Sequence, residues 1–174
     1  MTEQAVLDQQ AEELFTALAM THQTLVLAES CTGGLIAATL AGRPGISAWF
    51  AGSLVVYQIE SKVQWLGVPQ ALIDSQNVVS EQVAVSMAER ALAVTPHASV
   101  SLGITGHLGP GAPAELDGVA WLAIAGRAGV GLTRRLQLAP AVDCSAADLR
   151  RQRQQSAALQ SMKALCQHLQ RSTE

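Results

Sequence analysis

The feature that most constrains this chain is a handover: a short β-branched and aliphatic run, TLVLAES at 24–30, breaks at Gly33–Gly34, and a helical pattern begins at once. A run of that kind reads as a buried strand. Further strands are expected in WFAGSLVVY at 49–57 and at about 98–105, 118–125 and 131–138. Helices are expected at about 3–21, 31–41, 60–66, 78–95 and 145–170. In the first of these, Leu7, Ala11, Leu14 and Leu18 are spaced by fours and threes and share one face. Ser80 followed by Glu81 marks the N-cap of the 78–95 helix, and Gly67 with Pro69 beyond it closes the short one before. Helices before, between and after the strands predict an α/β chain, a three-layer α/β/α sandwich. The later strands are joined only by turns or loops, which makes the sheet mixed.

At 174 residues the chain is read as a single domain, an N-terminal helix at 3–21 and a core at 22–170. No apolar run reaches the 18 or so residues of a membrane span, and the acids among the first twenty residues exclude a secretory leader. Cys31, Cys144 and Cys166 have neither an even count nor metal-ligand spacing, so a reduced cytoplasm is expected and zinc is not. A formal charge of −3 and 3% aromatics argue against nucleic acid, which needs clustered cations or stacking platforms.

Three pieces of the sequence carry chemistry. Ser30 stands where the first strand exits, with the free backbone N–H groups of a helix start aimed nearby, and Gly33 and Gly34 allow a ligand close to the backbone. The plainer alternative is that Ser30 or Thr32 caps a helix. A serine needs a base. His22 and His97 fall at helix-to-strand connections and His168 near a helix C-terminus, positions that suit surface residues, while His107 in the Gly/Pro loop stays open. Of the two lysines, Lys163 is on the last helix, whereas Lys62 follows the strand SLVVY by about one helical turn. A desolvated lysine acts as a base near neutrality, and parallel strands bring their carboxyl ends to one edge, so Lys62 and Tyr57 can meet Ser30. The alternative is a solvated lysine. In GITGHLGPG, Thr105 and Gly106 end a strand, and Gly109, Pro110 and Gly111 form either a loop that closes over a small ligand or a turn without function.

In this order the pieces resemble the CinA C-terminal domain, also known as nicotinamide nucleotide amidase, over about residues 10–165 and in its stand-alone form. AESCTGG is similar to the family's signature, VVYQIESKVQWLGV to its tyrosine-to-lysine segment, VVSEQVAVSMAERAL to its V-S-E helix and TGHLGPG to its glycine loop. The resemblance implies hydrolysis of the carboxamide of nicotinamide mononucleotide, with Ser30 as nucleophile and Lys62 as base, later protonating the ammonia. Tyr57 and Thr105 would assist by hydrogen bonding. Thr32, Gly33 and Gly34 would offer backbone donors to the oxyanion or to the substrate's anionic part, and Gly106 and Gly109 would complete the substrate-binding set. No metal or organic cofactor is implied, and a homo-oligomer is, since family members often form dimers.

Three departures from the family pattern fall on Ile59, on ELDG at 115–118 and on VDC at 142–144, where Cys144 takes the place of an arginine. An acid near a phosphate-bearing substrate would repel it. Arg150, Arg151 and Arg153 either compensate or form a solvated helix face. The alternative function is therefore a non-catalytic paralogue that binds a nucleotide or acts as an interaction protein. A third, a Cys31 thiol enzyme, is disfavoured because Cys31 should point between helix and sheet.

Overall fold

The computed structural model describes residues 2–139 and 145–171. The first helix, α1 (Glu3–Thr21), starts where the Thr2 hydroxyl accepts from the Ala5 N–H and ends at His22 in the left-handed region. Its buried face includes the expected Leu7, Ala11, Leu14 and Leu18. The strand β1 (Leu25–Glu29) is buried throughout, as a strand covered on both faces must be. The chain continues through α2 (Leu35–Ala41), β2 (Phe50–Val55), α3 (Ile59–Gln64), α4 (Gln70–Gln76), α5 (Glu81–Val94), β3 (Val100–Gly106), β4 (Val119–Gly126), β5 (Gly129–Gln137) and α6 (Ala146–Arg171).

One boundary and one whole element depart from the sequence reading. The helix expected from residue 31 begins only at Leu35, because Gly33 and Gly34 take positive φ values of 61° and 91° and turn the chain first. A helix not foreseen, α4, follows Pro69. Ile73 is its one buried residue, so it has no apolar stripe to betray it. Ser80 does cap α5, accepting from the Val83 N–H.

The sheet order is β2-β1-β3-β4-β5. β1 pairs parallel with β2 and β3, while β3–β4 and β4–β5 are antiparallel, which makes the sheet mixed. Alternation along the strands divides the core. Leu25, Leu27, Leu102, Ile104, Leu122 and Ile124 face α1, α2 and α6, whereas Val26, Ala28, Ala123 and Ala125 face α5. Burying each of the leucines and isoleucines contributes about 1.5–3 kcal/mol before chain entropy is counted. Helix α5 lies so close to β3 that a Cβ at Gly103 would come within 2.5 Å of the Ala84 carbonyl oxygen. The result is a three-layer α/β/α sandwich whose parallel strands β1, β2 and β3 end along one edge.

Candidate active site

Ser30 is the first residue beyond β1, and its backbone is held from both sides. Its N–H donates to the Ile104 carbonyl of β3 at 3.1 Å, and the preceding Glu29 carbonyl accepts from the Val56 N–H at 2.8 Å. Three adjacent strand ends thereby fix where the hydroxyl points. Lys62, on α3, is only 1% exposed, which excludes the solvated alternative. Its Nζ lies 2.9 Å from Ser30 Oγ, 2.8 Å from the Val56 carbonyl oxygen and 3.2 Å from that of Tyr57.

Those three partners decide what the amine can do. Burial lowers the Lys62 pKa from 10.5 to about 8, because the charged form loses its hydration. Once neutral, the amine has two N–H donors and one lone pair. The two carbonyls accept both donors, leaving the lone pair for the Ser30 hydroxyl. In that state the contact can pass a proton from oxygen to nitrogen, the transfer a serine nucleophile needs.

A cavity of about 460 Å³ opens over this pair. Ser30, Cys31, Tyr57, Ile59, Lys62, Thr105, Gly106, His107, Gly109 and Arg150 are among its lining residues, and its volume suits a small organic ligand. Thr105 is buried and donates from Oγ1 to the Val78 carbonyl at 2.9 Å, so its oxygen is left to accept. The Tyr57 phenol accepts from Arg150 Nη2, which leaves its own hydrogen free to donate. The other three histidines stand elsewhere: His22 tilts against Trp49, His97 lies in the turn before β3, and His168 is half-buried on α6, where burial lowers its pKa.

The structure brings Ser30, Tyr57, Lys62, Thr105, Gly106 and Gly109 together but does not bring Thr32, Gly33 and Gly34 to the cavity wall. Of the backbone donors expected there for an oxyanion, those of Gly33 and Gly34 are already engaged. The Glu29 carboxylate accepts from the N–H groups of Gly34, Ile36 and Ala37 and from the Ser53 hydroxyl, at 3.0–3.2 Å. The Gly33 N–H donates to the Ser30 carbonyl, and the Thr32 carbonyl accepts from Gln154. Glu29 thus holds the turn that follows Ser30, a positioning part the sequence reading missed. Its signal was an acid closing a buried strand just ahead of a helix start, where negative charge is stabilised.

Burial pushes the Cys31 thiol up to about 12, which withholds the thiolate a cysteine nucleophile needs. Arg153 is also buried rather than solvated. It donates to both Asp117 carboxylate oxygens, at 2.8 and 2.7 Å, and to the Leu108 carbonyl at 3.2 Å. Arg150 donates to the Gly109 carbonyl at 2.7 Å as well as to Tyr57. Of the two acids in ELDG, Asp117 is paired with Arg153, and Glu115 is not among the residues lining the cavity. Cys144 lies outside the described residues. Among the described residues no cluster of His, Cys, Asp or Glu could hold a metal, and no helix is long and apolar enough to cross a membrane.

Comparisons with known proteins converge on one family. A family model described as the CinA C-terminal domain matches residues 7–167. A CinA-like protein of Synechococcus sp. is 45% identical over 112 residues, 63% of this chain and 26% of that protein. One of Geobacter metallireducens is 43% identical over 111 residues, 63% of this chain and 27% of that protein. The matched part is thus about a quarter of the length of these curated relatives. Among solved structures, the competence/damage inducible protein CihA of Agrobacterium tumefaciens superposes with a TM-score of 0.81 at 29% identity, covering 94% of this chain and 95% of that one. A CinA superfamily protein of Klebsiella pneumoniae gives a TM-score of 0.82 at 24% identity, covering 95% and 98%, a likeness of fold.

Proposed function

The chain belongs to the CinA C-terminal domain family, and from that premise we propose that it hydrolyses the carboxamide of nicotinamide mononucleotide to nicotinate mononucleotide and ammonia by a Ser/Lys mechanism. The observation that carries the reading is the buried Lys62 amine 2.9 Å from the Ser30 hydroxyl at the floor of a cavity. Neutral Lys62 takes the Ser30 proton as Oγ bonds to the amide carbon. The carbonyl oxygen becomes an oxyanion. In this reading the Cys31 N–H, one residue past the nucleophile and in no backbone hydrogen bond among the described residues, receives it, with the Tyr57 hydroxyl as a side-chain donor. The new ammonium at Lys62 then returns its proton to the nitrogen as the C–N bond breaks, giving ammonia and an acyl-serine. Water, deprotonated by Lys62, cleaves the ester, and the serine recovers its proton.

Ammonia release from nicotinamide mononucleotide tests the proposal. Wild-type protein releases it, and Ser30→Ala and Lys62→Ala each abolish release; silence of the wild-type protein would sink the reading. Ile59, a hydrocarbon wall in the cavity, favours a second reading in which the site binds a nucleotide without turnover. Calorimetric binding without ammonia would support that one.

A further inference from the structure

The charged side chains lining the cavity are Glu60, Lys62 and Arg150, with His107 beside them. Lys62 is committed to Ser30 and two carbonyls, and its neutral form is the working one. Arg150 is different. Its guanidinium is fixed by two neutral acceptors, the Gly109 carbonyl and the Tyr57 phenol, and it pairs with no carboxylate among the described residues. Arg153, one helical turn further along α6, is neutralised by Asp117. The cavity therefore keeps on the α6 side one oriented cation that is in no ion pair among the described residues, with the Glu60 carboxylate elsewhere in the lining.

A guanidinium carries five N–H donors in a planar fork, and two anchored donors leave the rest pre-oriented. Holding it in place beforehand removes much of the ordering cost that a free arginine meets when it captures a ligand. Neighbouring space is open as well: a Cβ built at Gly111, in the facing loop, would meet nothing within 4 Å. We infer that Arg150 is the anion anchor of this site and binds the phosphate monoester of the substrate while Ser30 attacks the amide at the cavity floor. The inference rests on the amidase reading and adds to it a residue that selects a phosphorylated amide over the same amide without phosphate.

The test compares nicotinamide mononucleotide with nicotinamide riboside, and with a simple carboxylate-bearing amide, in wild type, Arg150→Gln, Arg150→Ala and Arg150→Lys proteins. Glutamine keeps a donor for Gly109 and Tyr57 and lacks the charge, which separates a brace from an anchor. The expected result is that Arg150→Gln and Arg150→Ala lower kcat/KM for the mononucleotide about tenfold or more beyond any loss on the riboside, as expected for removing a charge-assisted hydrogen bond. Lysine should restore part of the preference, and the carboxylate-bearing amide should follow the riboside. Equal losses on mononucleotide and riboside in the Arg150 variants would overturn the anchor, as would a carboxylate-bearing amide that matches the mononucleotide. If no amide is turned over, the amidase reading fails separately. Calorimetry with nicotinate mononucleotide and its riboside then decides the anchor: a phosphate preference lost in Arg150→Gln supports it, and one retained there or absent from wild type refutes it.

Discussion

The pH dependence of catalysis offers the sharpest test of the dyad, because the number that sets it follows from where Lys62 is buried. Lowering the amine from 10.5 to about 8 is worth about 3 kcal/mol against the charged form. With a pKa of about 8, roughly a tenth of the enzyme is in the neutral, competent form at pH 7, half at pH 8 and nine-tenths at pH 9. The quantity to measure is kcat/KM for ammonia release, which reports the free enzyme. It should be read from pH 7 upward, where a phosphate monoester is already doubly ionised. The expected rise is about fivefold from pH 7 to 8, less than twofold from 8 to 9, and then a plateau. A profile flat from pH 7 to 9, or one climbing about tenfold per pH unit to pH 10 as for an ordinary amine, would refute the reasoning. Stability carries the same signature. The unfolded chain holds this proton more tightly than the folded one, so the cost of the buried ammonium is fully present below about 8 and disappears as pH rises towards 10.5. Thermal unfolding of wild type should therefore gain stability across that window relative to Lys62→Met, which has no proton to lose.

Other perturbations have outcomes that follow from single contacts. Glu29→Gln places an amide against three backbone donors and the Ser53 hydroxyl; chemical denaturation should show a loss of about 1–3 kcal/mol, and kcat should fall with KM little changed, because the strand end that carries Ser30 shifts. Asp117→Ala removes the carboxylate that accepts two bonds from Arg153; because that carboxylate is itself 41% exposed, the loss in the same assay should be only about 1 kcal/mol. Arg153 holds the Asp117 carboxyl below its usual pKa, so this pair's stabilisation is fully present above about pH 4 and is lost as pH falls through the lowered value. Acid unfolding of wild type and Asp117→Asn should converge there. Gly103→Ala puts a methyl group 2.5 Å from the Ala84 carbonyl oxygen, and the melting temperature should drop by an amount equivalent to about 1–3 kcal/mol.

What could be read in advance was whatever repeats locally or is tied to a strand end. Leu7, Ala11, Leu14 and Leu18 announce α1 by spacing, and Ser80 announces α5 by its cap. Ser30 and Lys62 were expected to meet because each follows a parallel strand, and parallel strands finish on one side of the sheet. The start of α2 was misplaced because two glycines tolerate a helix or a turn equally well on paper; their positive φ values come from the geometry that delivers three N–H groups to Glu29. Arg150 and Arg153 looked interchangeable, three residues apart on one helix face. What separates them is Asp117, carried there by the connection between β3 and β4, a partner 36 residues from Arg153 in the chain. No local pattern encodes that meeting.

The glycine loop at the cavity rim, read from the sequence as either a loop that closes over a ligand or a turn without function, is tied down at both ends. Leu108 and Gly109 give their carbonyls to Arg153 and Arg150, Asp117 is clamped by Arg153, and Gly118 accepts from the Leu138 N–H at 2.7 Å. One side of the cavity is consequently braced by two arginines of α6. On the facing side half-exposed Tyr57 and Ile59 lead into the two-turn helix bearing the amine, so the way in from solvent passes over the same segment that positions Lys62.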